Sequence, residues 1–189
     1  SLSCGFRHSA AVDSSGTCYT WGSGRKGQLG HGSHKDCVTP HPITSWPLSA
    51  CKVQVMVVVC GAYHTICLSK DPVRVANVAQ YGASGVQDRK FLTYSNCLSW
   101  GDNSAGQLGV GDYLWRTSPC SVPICIENTN CGNLLLTKIA AGGRHSAAVT
   151  SAGVLLHFGS LKTSDDHRST GHRTDSDNNP EISCSPTFS

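Results

Sequence analysis

The sequence is poor in charged residues. Lys, Arg, Asp and Glu make up 14% of its 189 residues, against roughly 25% in an average globular domain. The formal net charge of +3 is too small to indicate nucleic acid or an anionic membrane as the partner. No run of about twenty apolar residues occurs, so we expect neither a transmembrane helix nor a membrane partner. With 39% hydrophobic residues to form a core, such a chain is typical of a β-rich, turn-rich protein.

Enzymatic motifs are missing as well. The sequence has no Gly-x-Ser-x-Gly, no His-Glu-x-x-His and no paired carboxylates, so we expect no catalysis by this chain on a small molecule. It also lacks an Asn-x-Ser/Thr acceptor and a hydrophobic signal segment at its start. Its eleven cysteines are odd in number, which argues against a disulfide scaffold. We therefore predict reduced thiols in a cytoplasmic or nuclear protein, with small buried cysteines on strands at Cys4, Cys18, Cys60, Cys67 and Cys97.

The sequence does contain internal repeats. A ten-residue element with the pattern Trp-Gly-x5-Gln-Leu-Gly stands at residues 21–30 and again at residues 100–109. A second element, Gly-x-x-His followed by small or apolar residues, begins at Gly5, Gly61 and Gly142. Self-similarity at this spacing is the signature of a solenoid or a propeller. The chain begins without Met and in mid-repeat, so we expect it to be part of a longer protein.

Each Gly-x-x-His element opens a predicted hairpin. Residues 8–12 have the pattern of a buried strand, residues 13–16 that of a turn, and residues 17–21 that of the returning strand. Residues 144–159 repeat this plan, with Phe158 in the place of Trp21. In both copies the aromatic residue follows the histidine by 13 positions. We therefore predict antiparallel hairpins with a large aromatic side chain at the end of the second strand.

The middle hairpin carries an insertion. Trp100 follows His64 by 36 residues rather than 13, an excess of 23, and removing residues 72–94 restores the spacing. The insertion should leave from a hairpin turn and project from one face. Three interpretations stay open: a partner-binding loop, an unstructured loop, or an unspliced stretch of the gene. In the first case the candidate contact residues are of types enriched at partner surfaces, namely Arg89, Lys90, Phe91 and Tyr94.

The rest of each repeat also predicts β-structure. Residues 53–59 and 134–140 are apolar, rich in β-branched residues and flanked by glycine, which favours strands over helices. Gly- and Pro-rich connections precede them at residues 32–47 and 111–123. The repeat of about 57 residues, with several short strands, has the size of one four-stranded propeller blade. We predict an all-β fold, with blade hairpins near residues 4–30, 60–109 and 141–159.

At these residues the chain resembles the repeats of the regulator of chromosome condensation, the RCC1-like propellers. Residues 2–12 and 139–149 follow that family's small-small-Gly-x-x-His signature, and Trp-Gly-x5-Gln-Leu-Gly is its companion element. The middle copy departs slightly, with Val59 at a small-residue position and Thr65 after the histidine. The resemblance covers residues 1–71 and 95–160. It implies two to three blades of a seven-bladed ring, so the missing blades would be needed to close it.

The positions expected to form the repeated structural motif are those that both elements share. We expect the three histidines to be structural hydrogen-bonding groups about one blade apart, rather than a metal or catalytic cluster. The motif positions are Gly5, His8, Trp21, Gly22, Gly27, Gln28, Leu29, Gly30, Gly61, His64, Trp100, Gly101, Gly106, Gln107, Leu108, Gly109, Gly142, His145, Phe158 and Gly159.

Two stretches imitate ligand-binding motifs. Residues 22–27 satisfy the dinucleotide pattern Gly-x-Gly-x-x-Gly, but Gly30 and Gly32 stand where a phosphate-binding helix should begin, and the second copy has Asn103 in place of Gly24. Residues 31–37 with His41 offer zinc-type side chains at a spacing that fits no standard closed site. We therefore expect no cofactor and no metal, and interpret both stretches as inter-strand loops.

The end of the chain follows a different pattern. Residues 161–189 are rich in Ser, Thr, Asp and Asn, so we predict a disordered polar tail after the repeats of residues 1–160.

The resemblance implies a protein-interaction or regulatory module, in its most specific form a guanine-nucleotide exchange factor for a small GTPase. The alternative is a substrate- or partner-docking propeller of a larger protein such as a HECT-type ubiquitin ligase. A chromatin-associated adaptor is a second alternative, weakened by the small net charge.

Overall fold

The computed structural model describes residues 1–47, 53–74, 94–124, 135–160 and 183–185. Within these ranges it forms twelve β-strands and no helix, as the sequence predicted. None of the described residues belongs to a helix that could cross a membrane. The strands form three four-stranded antiparallel sheets, which follow one another along the chain.

The three sheets share one plan, in which neighbouring strands along the chain pair with each other. The first sheet comprises β1 (Leu2–Cys4), β2 (His8–Val12), β3 (Cys18–Gly22) and β4 (Cys37–Pro42). The second comprises β5 (Val55–Cys60), β6 (His64–Arg74), β7 (Tyr94–Gly101) and β8 (Arg116–Ser121). The third comprises β9 (Leu136–Ala141), β10 (His145–Thr150), β11 (Leu155–Gly159) and β12 (Ser183–Ser185). These sheets correspond to the predicted blades and are called blades 1, 2 and 3 below.

Apolar side chains hold adjacent blades together. One core lies between blades 1 and 2, where Ala10 and Cys18 pack with Val58 and Trp100. A second core lies between blades 2 and 3, where Ile66 and Cys97 pack with Leu136, Leu156 and Phe158. Alternate residues of β6 and β7 therefore point to opposite neighbours, as the two-residue period of a strand requires. Blade 2 is buried on both faces.

The fourth strands of blades 1 and 2 lie inside the stretches predicted to be connections. β4 lies within residues 32–47, and β8 lies within residues 111–123. Most side chains of β4 are exposed, so it lacks the apolar alternation that predicts a strand. Its backbone nevertheless pairs with β3, with Tyr19 opposite Pro42 and Gly22 opposite Cys37.

The strands that flank the predicted insertion are longer than expected. Residues 72–74 and Tyr94, assigned to the insertion, extend β6 and β7, with Val73 opposite Ser95 and Arg74 opposite Tyr94. The register shifts between Leu68 and Val73, which absorbs the unequal lengths of the two strands. Residues 75–93, including three of the four candidate contact residues, lie outside the described residues.

Within residues 161–189, the predicted disordered tail, Ser183–Ser185 form a short strand. These residues form β12 and pair with β11 in antiparallel register, Leu155 opposite Ser185 and His157 opposite Ser183. The physical reason is that an open strand edge offers unpaired N–H and C=O groups to any extended backbone, whatever its side chains. The other residues of the tail are not among those that the structure describes.

The strand directions divide the molecule into two ends. The three Gly-x-x-His turns, residues 5–7, 61–63 and 142–144, lie at one end, together with the loops of residues 23–36 and 102–115. We call this end the turn face. The turn of residues 13–17 and the ends of β6 and β7 at Arg74 and Tyr94 lie at the opposite end. The strands that flank the insertion therefore lead away from the turn face.

Candidate partner-binding face

A buried hydrogen-bond relay joins blade 1 to blade 2. The Thr65 hydroxyl donates to the carbonyl of Gln28 at 2.8 Å and lies 2.9 Å from His8 Nε2. A hydroxyl has one proton, so Thr65 accepts from His8, and His8 carries its proton on Nε2. Burial of this ring lowers the pKa of His8 from 6.5 to about 4. The neutral imidazole is therefore the form that fits the junction.

The same relay recurs between blades 2 and 3. His64 Nε2 lies 2.8 Å from the Ser146 hydroxyl, which donates to the carbonyl of Gln107 at 2.9 Å. Burial lowers the pKa of His64 to about 4, against a smaller opposing effect of the Asp102 carboxylate. Each histidine thus binds the hydroxyl residue that follows the histidine of the next blade. The three histidines do not converge on a common point.

The glycine of each Gly-x-x-His turn makes room for its histidine. A Cβ added at Gly5, Gly61 or Gly142 would overlap the imidazole three residues later. The turn closes through a backbone hydrogen bond from the glycine N–H to the histidine carbonyl, 2.8 Å for Gly5 and His8. Glycine is therefore required three residues before each histidine, because any larger residue would collide with the imidazole ring.

The Trp-Gly-x5-Gln-Leu-Gly elements of both blades complete the junction, the later blade giving the aromatic ring and the earlier blade the loop that the ring contacts. Trp100 Nε1 donates to the Gln28 carbonyl at 2.9 Å. A Cβ added at Gly30, which has φ +74°, would lie 2.8 Å from that same nitrogen. Phe158 stands against Gly109 in the same way at the next junction, where an added Cβ would lie 2.9 Å from the ring. Only glycine lets the aromatic ring reach the neighbouring loop.

The remaining motif residues fold the loop that carries these contacts. The side-chain oxygen of Gln28 accepts from the backbone N–H of Lys26, and that of Gln107 accepts from Ala105, both at 2.8 Å. Leu29 and Leu108 are fully buried behind them. Further motif glycines have positive φ in equivalent places, namely Gly22, Gly101 and Gly159 beside the aromatic residue, and Gly27 and Gly106 in the loop.

Of the motif residues other than glycine, two are only half-buried, Trp21 and His145. Trp21 stands in blade 1 where Trp100 stands in blade 2, and His145 stands in blade 3 where His64 stands in blade 2. Each lies on a blade surface that no other described sheet covers. The ring of His145 lies beside that of His157, with the ring centroids 5.7 Å apart.

The two middle residues of each Gly-x-x-His turn form a row across the three blades, exposed in blades 1 and 3 and half-buried in blade 2. The Phe6 N–H donates to the Ala62 carbonyl and the Ala62 N–H to the Gly142 carbonyl, each at 3.2 Å. Phe6 is 65% exposed and meets Tyr63 edge-on with ring centroids 5.6 Å apart. The Arg7 guanidinium lies 5.6 Å from the Phe6 ring centroid. The row ends at the exposed Arg144 in blade 3.

The outer loops add a second exposed group to the turn face. Tyr113, Leu114 and Trp115 are 40%, 67% and 44% exposed. The Lys26 ammonium of blade 1 lies 3.7 Å from the centroid of the Trp115 ring, which links this group to the neighbouring blade. None of these side chains takes part in the hydrogen bonds of the blade junctions.

Carboxylates of the turn face are engaged within their own loops. Asp36 accepts from the Gly24 N–H at 2.9 Å, a bond that lowers the pKa of this carboxyl. Asp102 is buried and accepts from the Ser104 N–H at 3.1 Å. Asp112 is paired with Arg116. In contrast, Arg7 and Arg144 have no ion-pair partner among the residues that the structure describes. The cations Arg7, Arg25, Lys26, Lys35 and Arg144 outnumber the three carboxylates, so the net charge of the turn face is positive.

The stretches that imitate ligand motifs have ordinary contacts. Gly27 N–H donates to the Gly24 carbonyl at 2.8 Å, which makes the glycine-rich stretch a turn. His31 contacts the Thr20 hydroxyl at 2.8 Å and packs edge-on against His41. Across the described ranges, no group of three or more His, Cys, Asp or Glu is placed to hold a metal ion.

Sequence reasoning did not find the turn face. The candidate contact residues that it named were Arg89, Lys90 and Phe91, which lie outside the described residues, and Tyr94, whose backbone pairs with Arg74. The available signal was the content of the variable positions in Gly-x-x-His. These are Phe-Arg, Ala-Tyr and Gly-Arg, and the Tyr and Arg among them are types enriched at the energetic centres of interfaces.

Comparison with known proteins gives the family. A family model described as "Regulator of chromosome condensation (RCC1) repeat" matches residues 15–68 and 96–149, and a second of the same description matches residues 1–28. The chain is 34% identical over 161 residues to the human "Probable E3 ubiquitin-protein ligase HERC6", covering 84% of this chain and 12% of that protein. It is 34% identical over 110 residues to the Caenorhabditis elegans "X-linked retinitis pigmentosa GTPase regulator homolog", covering 58% and 6%.

The fold agrees with this family. The crystal structure of Prp20p from Saccharomyces cerevisiae, reported with its binding to Gsp1p and histones, is similar with a TM-score of 0.58 at 21% identity. The similarity covers 99% of this chain and 37% of Prp20p. The chain thus spans a small part of the length of each of these relatives. Because the family model matches more than half of the residues, the chain belongs to the regulator of chromosome condensation (RCC1) repeat family, as three blades of a β-propeller.

Proposed function

We propose that this chain is the partner-docking part of a propeller in a larger regulatory protein. Our leading candidate for that larger protein is a ubiquitin ligase of the HECT type. The observation that carries the proposal is the turn face. Phe6, Arg7, Leu114 and Trp115 are exposed there, and none of their side chains takes part in the buried hydrogen bonds of the blade junctions. Large aromatic and arginine side chains are the types that dominate the binding energy of protein interfaces.

The ligase form is supported by sequence. The human relative named as a probable E3 ubiquitin-protein ligase is about eight times as long as the matched stretch, since the chain covers 12% of it. In such a protein the propeller would select the partner, and the chemistry would belong to another domain. This chain itself would bind, with no cofactor and no reacting group of its own.

Site-specific photocrosslinking in the full-length protein tests the docking proposal. Benzoylphenylalanine in place of Phe6 should crosslink a discrete partner protein in cells. The matched control is the same residue in place of Ser14, which is exposed in the turn at the opposite end. A partner captured from position 6 and not from position 14 supports the proposal, whereas equal capture at both positions, or none from position 6, contradicts it.

Nucleotide exchange on a small GTPase is the second candidate function. It is favoured by the likeness to the worm protein named as a GTPase regulator homologue. The mechanism would be mechanical, with loops of the turn face displacing the GTPase elements that hold the nucleotide phosphates. Release of a fluorescent GDP analogue from purified small GTPases measures it. Acceleration by the full-length protein, abolished by Phe6→Ser, would support exchange, and an unchanged release rate across a GTPase panel would contradict it.

A chromatin adaptor is the weakest candidate. Prp20p is described as binding histones, but histones are strongly basic, and like charges on the turn face would repel them. A partner-binding role for the insertion stays a prediction. The two strands that flank the insertion end opposite the turn face. A cytoplasmic or nuclear location is proposed with it, and imaging of a fluorescent fusion would test that location.

Further blades are part of this proposal. The half-buried Trp21 and His145 mark the two blade surfaces on which neighbours would pack. By the pattern of the two junctions, His145 Nε2 would bind a Ser or Thr hydroxyl of the next blade. We expect the isolated chain to self-associate through these surfaces, measured by sedimentation, and a monomer that unfolds cooperatively would contradict this expectation.

A further inference from the structure

The turn face has unbalanced charge. Its exposed cations include Arg7, Arg25, Lys35 and Arg144. Arg25 has a single contact with a carboxylate, at 4.0 Å from Asp36, and both side chains are largely exposed. Exposed pairs of this geometry contribute little energy. The cations therefore remain available to a partner, and they outnumber the carboxylates of the same face, which also have partners within their own loops.

The same face exposes apolar area beside these cations. Phe6 lies under Arg7, and Trp115 lies under Lys26, so each cation is held against a ring. Leu114, which cannot stack on a nucleobase, is 67% exposed beside Trp115. A surface of alternating cations and apolar side chains fits a protein segment better than it fits a nucleic acid, where stacking and phosphate contacts suffice.

The turns are also joined into one continuous row. Backbone hydrogen bonds link residue 6 to residue 62 and residue 62 to residue 142. The Ser23 N–H donates to the Arg7 carbonyl at 2.7 Å, which fixes the outer loop against the inner turn. The cations are therefore presented on a rigid scaffold, which lowers the entropic cost of binding an extended segment.

We infer that the turn face binds an acidic segment of a partner protein, in which Asp and Glu alternate with large apolar side chains. The carboxylates would pair with Arg7 and Arg144, and the apolar side chains would pack on Phe6, Tyr63 and Trp115. This inference depends on the proposed docking function and gives it a partner chemistry.

Fluorescence anisotropy on the full-length protein tests the inference. The probe is a labelled peptide in which Asp and Glu alternate with Leu and Phe, and the control peptide has Lys in place of the acidic residues. Arg7→Glu with Arg144→Glu should weaken binding of the acidic peptide by at least about tenfold. The matched variant, Lys70→Glu with Lys138→Glu, makes the same change of charge away from the turn face, and its affinity should stay within about twofold. Arg7→Gln with Arg144→Gln gives a milder loss if charge reversal disturbs folding.

Several results would overturn the inference. These are no binding of the acidic peptide to the native protein, an equal loss in both double variants, or tighter binding of a single-stranded oligonucleotide of the same charge. The crosslinking experiment separates this failure from failure of docking itself. A partner captured equally from position 6 in native and double-variant protein leaves docking intact and removes the acidic chemistry, whereas no capture from position 6 removes docking.

Discussion

The two blade junctions use the same relay with one difference. At the first junction the Gln28 carbonyl accepts from both Thr65 and Trp100. At the second, Ser146 donates to the Gln107 carbonyl, and Phe158 has no N–H to add. Both aromatic rings are fully buried against a glycine. The comparison teaches that burial of the ring and the histidine–hydroxyl bond define the junction, whereas the indole hydrogen bond is an addition.

The outer loops of the same blades differ much more. Tyr113, Leu114 and Trp115 of blade 2 stand 79 positions after His34, Lys35 and Asp36 of blade 1, the spacing that also separates Trp100 from Trp21. Residues that serve the junction thus repeat, and residues on the turn face do not. Positions that change between structurally equivalent blades are free to carry function.

Acid should break both junctions together, which is the largest effect that we expect. His8 and His64 have a pKa of about 4 when folded, against 6.5 when unfolded, so the unfolded chain binds protons more readily. The contribution of the two histidines to the free energy of unfolding is fully present above pH 6.5. It should be lost as the pH drops toward 4, by about 3 kcal/mol for each histidine. Denaturant unfolding across this range measures the loss. His8→Asn should make the pH dependence shallower, and an unchanged slope in that variant would contradict the assignment.

Adding a methyl group under either aromatic ring should be the next largest effect. Gly30→Ala and Gly109→Ala force a Cβ against Trp100 or Phe158 at positive φ, and each should cost about 3 kcal/mol. Gly111→Ala is the matched control, because its φ is +86° but nothing lies within 4 Å of an added Cβ. It should cost about 1 kcal/mol. Equal losses of stability at Gly109 and Gly111, measured by denaturant unfolding, would show that strain at positive φ, rather than contact with the aromatic ring, sets the cost.

Converting the first junction into the second should have a smaller effect. Trp100→Phe removes the bond to the Gln28 carbonyl but leaves the bond from Thr65, so we expect a loss of about 1 to 2 kcal/mol. Trp115→Phe, on the exposed loop, should change the free energy of unfolding by less than about 0.5 kcal/mol. A loss of about 4 kcal/mol or more at Trp100 would contradict the expectation that a phenyl ring can replace the indole at this junction.

Much of the fold could be predicted because the repeats carry it. The alternation in residues 8–12 and the turn that follows predicted β2 and β3, and the thirteen-residue spacing predicted β10 and β11. β4, β8 and β12 escaped prediction because their pairing rests on backbone groups rather than on an apolar pattern. Sequence periodicity reports burial, and it is silent where an exposed strand completes a sheet.

The candidate site could be predicted less well. The spacing of His8 and His64 indicated residues one blade apart, but the hydroxyl that each ring meets follows the histidine of the next blade, 57 and 82 positions further along. The turn face joins residues 5–7, 61–63 and 142–144, whose proximity depends on how the blades stack. The insertion stands out in the sequence because it breaks the repeat, whereas the turn face lies within the repeat and is distinguished only by exposure.

Replacing the outer loop of blade 2 by that of blade 1 should have the smallest effect on stability and the clearest effect on binding. Tyr113→His, Leu114→Lys and Trp115→Asp give blade 2 the residues that blade 1 already carries at these positions. Because all three side chains are exposed and Asp112 keeps its pairing with Arg116, the free energy of unfolding should change by less than about 0.5 kcal/mol. Crosslinking of the partner from position 6 should nevertheless fall several-fold, since the variant removes apolar contact area and places a carboxylate beside Lys26. Full crosslinking in a stable variant would restrict the partner site to the inner row of Phe6, Arg7 and Tyr63, and the difference between the two outer loops would then have no part in recognition.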